Sequence, residues 1–90
     1  MALVQITPVE ARVRWDRAAD RPSEVRWPGH HLRIAELDAV RDERSAYRPD
    51  RGPRVTYLLR TDDGARAALV YDERRRRWFL EAVEAVEPAA

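Results

Sequence analysis

The sequence predicts an all-β or mainly β fold: a strongly curled antiparallel sheet, or a small partly open barrel, of five to six strands, with one short helix as an option. Three observations predict it. Apolar residues alternate with polar ones along several runs, the period of a strand with one buried face. Turn signals separate those runs, above all at Pro28-Gly29 and Asp62-Asp63-Gly64. Ninety residues also hold too little material for an ordinary two-sheet sandwich. A single curled sheet buries one face and limits its exposed edges.

Val9, Ala11, Val13 and Trp15 alternate with Glu10, Arg12, Arg14 and Asp16. This is the first strand, with Trp15 closing its core face, and Leu3–Ile6 extends it past Pro8 as an edge. Arg17–Pro22 is a polar connection. Ser23–Trp27 is the second strand, and Pro28-Gly29 turns the chain, Pro presetting φ and Gly supplying a positive φ. In the third strand Leu32 and Ile34 share one face and Arg33 takes the other. It is expected to run to about Asp38, although Ile34, Leu37 and Val40 stand three apart, which also suits a short helix. Asp42–Pro53 is rich in charge, Pro and Gly and reads as the longest loop and a mobile one. Arg54–Thr61, Ala65–Asp72 and Arg77–Val83 complete the sheet, with Val55, Tyr57 and Leu59 on one face and a tip at Glu73–Arg76. Residues 1–90 form a single small domain, with 84–90 a frayed tail.

Composition narrows the function classes. Arg supplies all 17 basic residues, against eight Asp and eight Glu, for a formal charge of +1. Near-neutrality argues against a protein whose whole body clings to polyanions. Arginine is the residue suited to forked contacts with phosphate or carboxylate, but a GC-rich genome produces the same bias, so single arginines carry little weight. The absence of Cys excludes disulfides, thiol catalysis and cysteine-ligated zinc. No apolar run approaches the ~18–20 residues of a membrane helix, and the first residues lack the pattern of a signal peptide. The expected location is the cytoplasm, with no membrane partner.

Catalysis finds no constellation. Ser23 and Ser45 lie outside any nucleophile turn, and the carboxylates fall at strand alternations and turns. His30 and His31 are adjacent in a strand and point to opposite faces, so they cannot readily share a metal. The expectation is therefore no enzyme, no cofactor and no metal. The features that remain are basic and aromatic. Arg74, Arg75, Arg76 and Arg77 form a run at a hairpin tip, where they could grip phosphates and release counterions. Arg48, Arg51 and Arg54, with Arg44, fall in or beside the long loop. Trp78 and Phe79 are neighbours in one strand and face opposite sides. An outward aromatic beside those arginines could stack a nucleic-acid base, with Trp78 the candidate; otherwise the loop or a second copy covers it.

The order Pro22-x-x-Val25-x-Trp27-x-Gly29, Leu32-x-Ile34, Tyr71-Asp72 and Arg77-Trp78-x-Leu80 resembles a family of small uncharacterised bacterial proteins, known as a domain of unknown function. Members show a Trp-x-Gly hairpin and a closing Tyr/Phe-Asp-x-x-x-Gly-x-Trp-x-Leu hairpin. The resemblance spans roughly residues 20–83. Arg76 stands where the tip glycine would be, and Leu32 replaces an aromatic. Genes of that family often lie near those of translesion DNA polymerases, so the resemblance implies a connection to DNA metabolism. The expected function is a non-enzymatic β-module that binds nucleic acid or a DNA-processing protein. The alternative is a protein-interaction module that pairs through a strand edge or forms a homodimer, motivated by the near-neutral charge and the acidic positions Glu81, Glu84 and Glu87.

Overall fold

The computed structural model describes residues 3–84. Six antiparallel strands run in sequence order: β1 Leu3–Asp16, β2 Arg21–Trp27, β3 His30–Glu43, β4 Arg54–Thr61, β5 Arg66–Asp72 and β6 Arg77–Glu84. Each pairs with the next, and β6 returns to pair with β1, so the barrel is closed rather than partly open. No helix occurs among the described residues. Residues 85–90, most of the expected tail, lie outside them, and Glu84 belongs to β6.

Closure depends on dividing the two longest strands. β1 gives Leu3–Ala11 to β6 and Arg12–Asp16 to β2. β3 gives His30–Arg33 to β2 and Ile34–Glu43 to β4. At about 3.3 Å per residue, these 14-residue strands match the 44 Å long axis of the molecule.

The inner face is built as the alternation predicts. Ala11, Val25, Ile34, Leu59 and Leu69, one from each of the first five strands, form a buried cluster, and Leu80 of β6 is fully buried as well. Val13, Trp27, Leu32, Leu37, Tyr57 and Trp78 pack against the cluster.

Three sequence expectations are corrected. The second strand begins at Arg21, not Ser23, and Pro22 is a fully buried part of it. Ser23 is skipped in the pairing of Arg14–Trp15 with Glu24 and Pro22, so the ladder bulges there. The third strand continues to Glu43, and no helix replaces its second half. Its three-residue spacing comes from two bulges, at Ala35 and Asp38. Ile34, Leu37 and Val40 sit opposite Thr61, Leu59 and Tyr57, so a step of three on β3 matches a step of two on β4. The β1 extension past Pro8 is present, and the β1–β6 register breaks between Gln5 and Val9, around the residue that has no N–H to donate.

Candidate nucleic-acid interface

Antiparallel order sends the β1–β2, β3–β4 and β5–β6 connections to the same end of the barrel. That end carries residues 17–20, 44–53 and 73–76, and with them every basic residue singled out from the sequence. The tip at 73–76 is organised by Asp72, whose carboxylate accepts the backbone N–H groups of Arg74 and Arg75 at 3.0 Å each. The Arg76 N–H donates to the Asp72 carbonyl at 2.7 Å, and Arg76 takes a φ of 56°, the left-handed conformation that glycine favours. Arginine thus occupies the glycine position without abolishing the turn.

The long loop is docked on this tip. Arg51 and Gly52 donate backbone N–H groups to the Arg48 carbonyl, and Glu73 donates to that of Pro53. Gly52 has a φ of +76°, the left-handed region that favours glycine, and a Cβ there would lie 3.2 Å from the Arg74 side chain, so loop and tip approach closely at this residue. Arg44 clasps Asp42 with Nε and Nη2 at 2.9 and 2.6 Å and reaches to 3.9 Å from Glu73. The Arg44 contact holds the Asp42 carboxyl below its ordinary range.

The candidate arginines divide into two groups. Four are in ion pairs: Arg77 with Glu10 at 3.0 Å, Arg48 with Asp50 at 3.1 Å, and Arg51 and Arg54 both with Glu81, at 3.4 and 2.8 Å. The Arg54 side chain is only 9% exposed, so it presents no open fork to a long polyanion. Arg74, Arg75 and Arg76 have no ion pair among the described residues. The Arg74 and Arg75 guanidiniums lie 5.6 Å over the rings of Tyr47 and Phe79. Exposed pairs such as Arg77–Glu10 hold their partners weakly, so those charges stay exchangeable.

The aromatic expectation changes. Phe79 takes the outer face, with Val70 opposite it in register. Trp78 turns inward, 5.0 Å from Tyr71, 5.5 Å from Tyr57 and 6.4 Å from Trp15, so it packs in the barrel mouth rather than standing out as a free platform. Trp15 is 38% exposed at that mouth, not a core residue, and meets Tyr57 edge-on at 5.9 Å. Burial pushes the Tyr57 hydroxyl above its ordinary pKa, with Asp42 and Asp20 adding to the shift and Arg44 opposing it. Tyr47 is exposed on the loop. Sequence reasoning missed Tyr47 as a partner of the tip and Glu81 as the shared counter-ion. Glu81 is left unpaired in the β5–β6 ladder, where Ala68–Leu69 face Ala82 and Leu80, and strict alternation does not reveal such a residue.

The histidines lie elsewhere. His30 stacks on Trp27 with ring centres 4.8 Å apart, and His31 is 3.6 Å from Glu24. No group of three metal-ligating side chains occurs among the described residues. A groove of about 560 Å³ crosses the outer sheet face over Leu58, Ala68 and Ala82. No helix of the described residues is long and apolar enough to cross a membrane. No family model matches the chain, and neither a curated protein nor a solved structure matches it.

Proposed function

We propose that this barrel is a non-enzymatic cytoplasmic module that binds nucleic acid through the end formed by residues 17–20, 44–53 and 73–76. One observation carries the reading: three consecutive guanidiniums, Arg74–Arg76, stand together at that end without a carboxylate partner among the described residues, while the four other candidate arginines are all in ion pairs. These side chains set the module on phosphates. Arg48 and Arg77 exchange weak intramolecular pairs for further phosphates. Exposed Tyr47 and the Trp15 edge offer faces for unstacked bases. The resemblance to small bacterial proteins encoded near translesion polymerases supports an accessory place in DNA metabolism.

Pairing through a strand edge or with a second copy has less support. Over Ile34–Glu43 β3 pairs only with β4, and that ladder is bulged at Ala35 and Asp38, while the β1–β6 ladder breaks around Pro8. Such irregularities discourage edge-to-edge association. Two of the acidic residues that motivated that reading serve as internal counter-ions, Glu81 for Arg51 and Arg54, and Glu84 for Arg66.

The test is fluorescence anisotropy of labelled single-stranded and duplex DNA and RNA, at low and moderate salt. Binding should weaken steeply with salt. A variant with Arg74, Arg75 and Arg76 all changed to Ala should bind at least about tenfold more weakly, with a shallower salt slope, each lost duplex contact removing about 0.9. No binding to any probe at low salt would sink the proposal.

A further inference from the structure

One flank of the barrel is formed by Arg12–Asp16 of β1, by β2, and by His30–Arg33 of β3. Ala11, Val13, Val25, Leu32 and Ile34 belong to the core or pack against it. Alternation therefore sends Arg12, Arg14, Glu24, Arg26, His31 and Arg33 to the outer face, where all but half-buried Glu24 are exposed. The register sets them in two rows. Arg14, Glu24 and Arg33 lie side by side, and next to them lie Arg12, Arg26 and His31. Arg12 thus stands directly opposite Arg26, and like charges so placed are destabilising.

Positive charge dominates this face. Glu24 reaches Arg26 at 3.5 Å and His31 at 3.6 Å. Arg12, Arg14 and Arg33 have no ion pair among the described residues. The other carboxylates stand at the margins. Glu10 is held by Arg77 at 3.0 Å, and Asp62 borders the face beside Arg33. Asp16 lies opposite Arg21 and accepts the backbone N–H groups of Ala18 and Ala19. Asp16 and Arg21 balance each other. The remaining five guanidiniums, Arg12, Arg14, Arg26, Arg33 and Arg77, meet three carboxylates, Glu10, Glu24 and Asp62, in a chain whose whole charge is +1.

The face continues into the arginine tip. The β1–β6 ladder ends at Ala11 and Trp78, so Arg12 and Arg77 are the next residues on the two strands. Beside the Arg12–Arg26 pair opens a cleft of about 430 Å³, whose other walls are Ala11, Trp27 and Pro28, with Glu10.

We propose that this flank is a second contact surface for the nucleic acid held by the tip, and that it takes that nucleic acid as a single strand. The proposal rests on the nucleic-acid reading and adds a path to it, from Arg74–Arg76 past Arg77 to Arg12 and Arg26. Phosphates match the guanidiniums that lack carboxylates. A base next to them lies against the apolar wall of the cleft, which an unpaired base reaches and a paired one does not. The path also turns from the end of the barrel onto its side. Duplex DNA, with a persistence length of about 150 base pairs, resists such a turn, and a single strand follows it.

The experiment is fluorescence anisotropy at several salt concentrations, with a labelled single strand of about sixteen nucleotides and a duplex of the same length. The wild type should hold the single strand at least about threefold more tightly than the duplex. Arg12→Ala combined with Arg26→Ala should weaken the single strand at least about tenfold and lower its salt slope by about 1.4, two contacts at about 0.7 each. The duplex, held by the tip alone, should change less than about twofold. Glu24→Gln removes the carboxylate within the face and should tighten the single strand about threefold. Thermal unfolding of each variant checks that its fold is intact.

A single strand that binds the double variant as it binds the wild type overturns the flank, and so does a duplex weakened as much as the single strand. If the Arg74–Arg76 variant alone loses binding, the module stands and the flank falls. Binding kept in that variant and lost in the Arg12–Arg26 variant keeps the flank and removes the tip. A wild type that binds neither probe removes both.

Discussion

The hairpin tips at the two ends of the barrel are built with the same device and differ in the residue at the left-handed position. Between β4 and β5, Asp63 accepts the Ala65 N–H at 3.3 Å and the Thr61 hydroxyl. Thr61 also accepts the Ala65 N–H at 3.1 Å, and the left-handed position is filled by Gly64 at φ 86°. Every choice there favours local stability. Between β5 and β6, Asp72 plays the same part for Arg74 and Arg75, but the left-handed position holds Arg76. A side chain in that conformation costs energy that glycine does not. The second tip therefore carries strain that the first avoids, as does the β1–β2 turn, where Asp20 has a φ of 54°.

The comparison can be broken in several places. The largest effect is expected beneath the arginine tip: Glu81→Ala leaves Arg54 buried without a counter-charge and should cost about 3 kcal/mol in urea unfolding. At the opposite tip, Thr61→Val removes a buried hydroxyl with several partners and should cost ~1–2 kcal/mol, with oligonucleotide affinity unchanged. Loss of affinity in that variant would mean that the two ends are not independent. Arg76→Gly should move stability and binding in opposite directions, stabilising by about 0.5–1 kcal/mol while weakening oligonucleotide binding. A destabilised Arg76→Gly would show that the tip is not strained.

The smallest effects depend on pH. The Thr61 hydroxyl and then the Ala65 N–H lower the Asp63 pKa below 3.8. Its contribution is complete above that value and disappears as pH falls through the lower, folded value. Asp63→Asn should flatten the acid limb of the stability profile and leave neutral pH nearly untouched. Tyr57 has the opposite sign. Burial raises its pKa above 10.0, so its contribution is complete below 10.0 and is lost as pH rises through the folded value. Tyr57→Phe should unfold less readily in alkali, and in the wild type one tyrosine should titrate late by ultraviolet absorbance.

The second half of the chain was more legible than the first. β4, β5 and β6 are seven or eight residues each, are joined by short turns, and pair β4 to β5 without a break. Period-two alternation reads such strands directly. β3 was obscured because its bulges convert period two into period three, a spacing shared with helices. The sequence places Pro22 in the polar connection, yet it lies within β2 beside a bulge, where it is accepted. For the site, the arginines were visible as a run at a turn. Their counter-ions were not: Glu81 is 27 residues from Arg54 and Glu10 is 67 from Arg77, distances that only the register bridges. Trp78 and Phe79 could be assigned opposite faces, but which face is inside depends on the register of β6 with β5.

The return of β6 to β1 has a kinetic consequence. Every other ladder joins neighbours in sequence and can form as a hairpin, across connections of about two to ten residues. The β1–β6 seam joins the most distant strands, and its pairing lapses around Pro8. Loop-closure entropy weighs most on such contacts. The seam should therefore assemble last and part first, as a zipper with a weak final tooth. Shortening Val9 or Leu80, partners across it, should hasten unfolding while leaving the refolding rate nearly unchanged in stopped-flow measurements. Slowed refolding in either variant would instead place the seam in the folding nucleus.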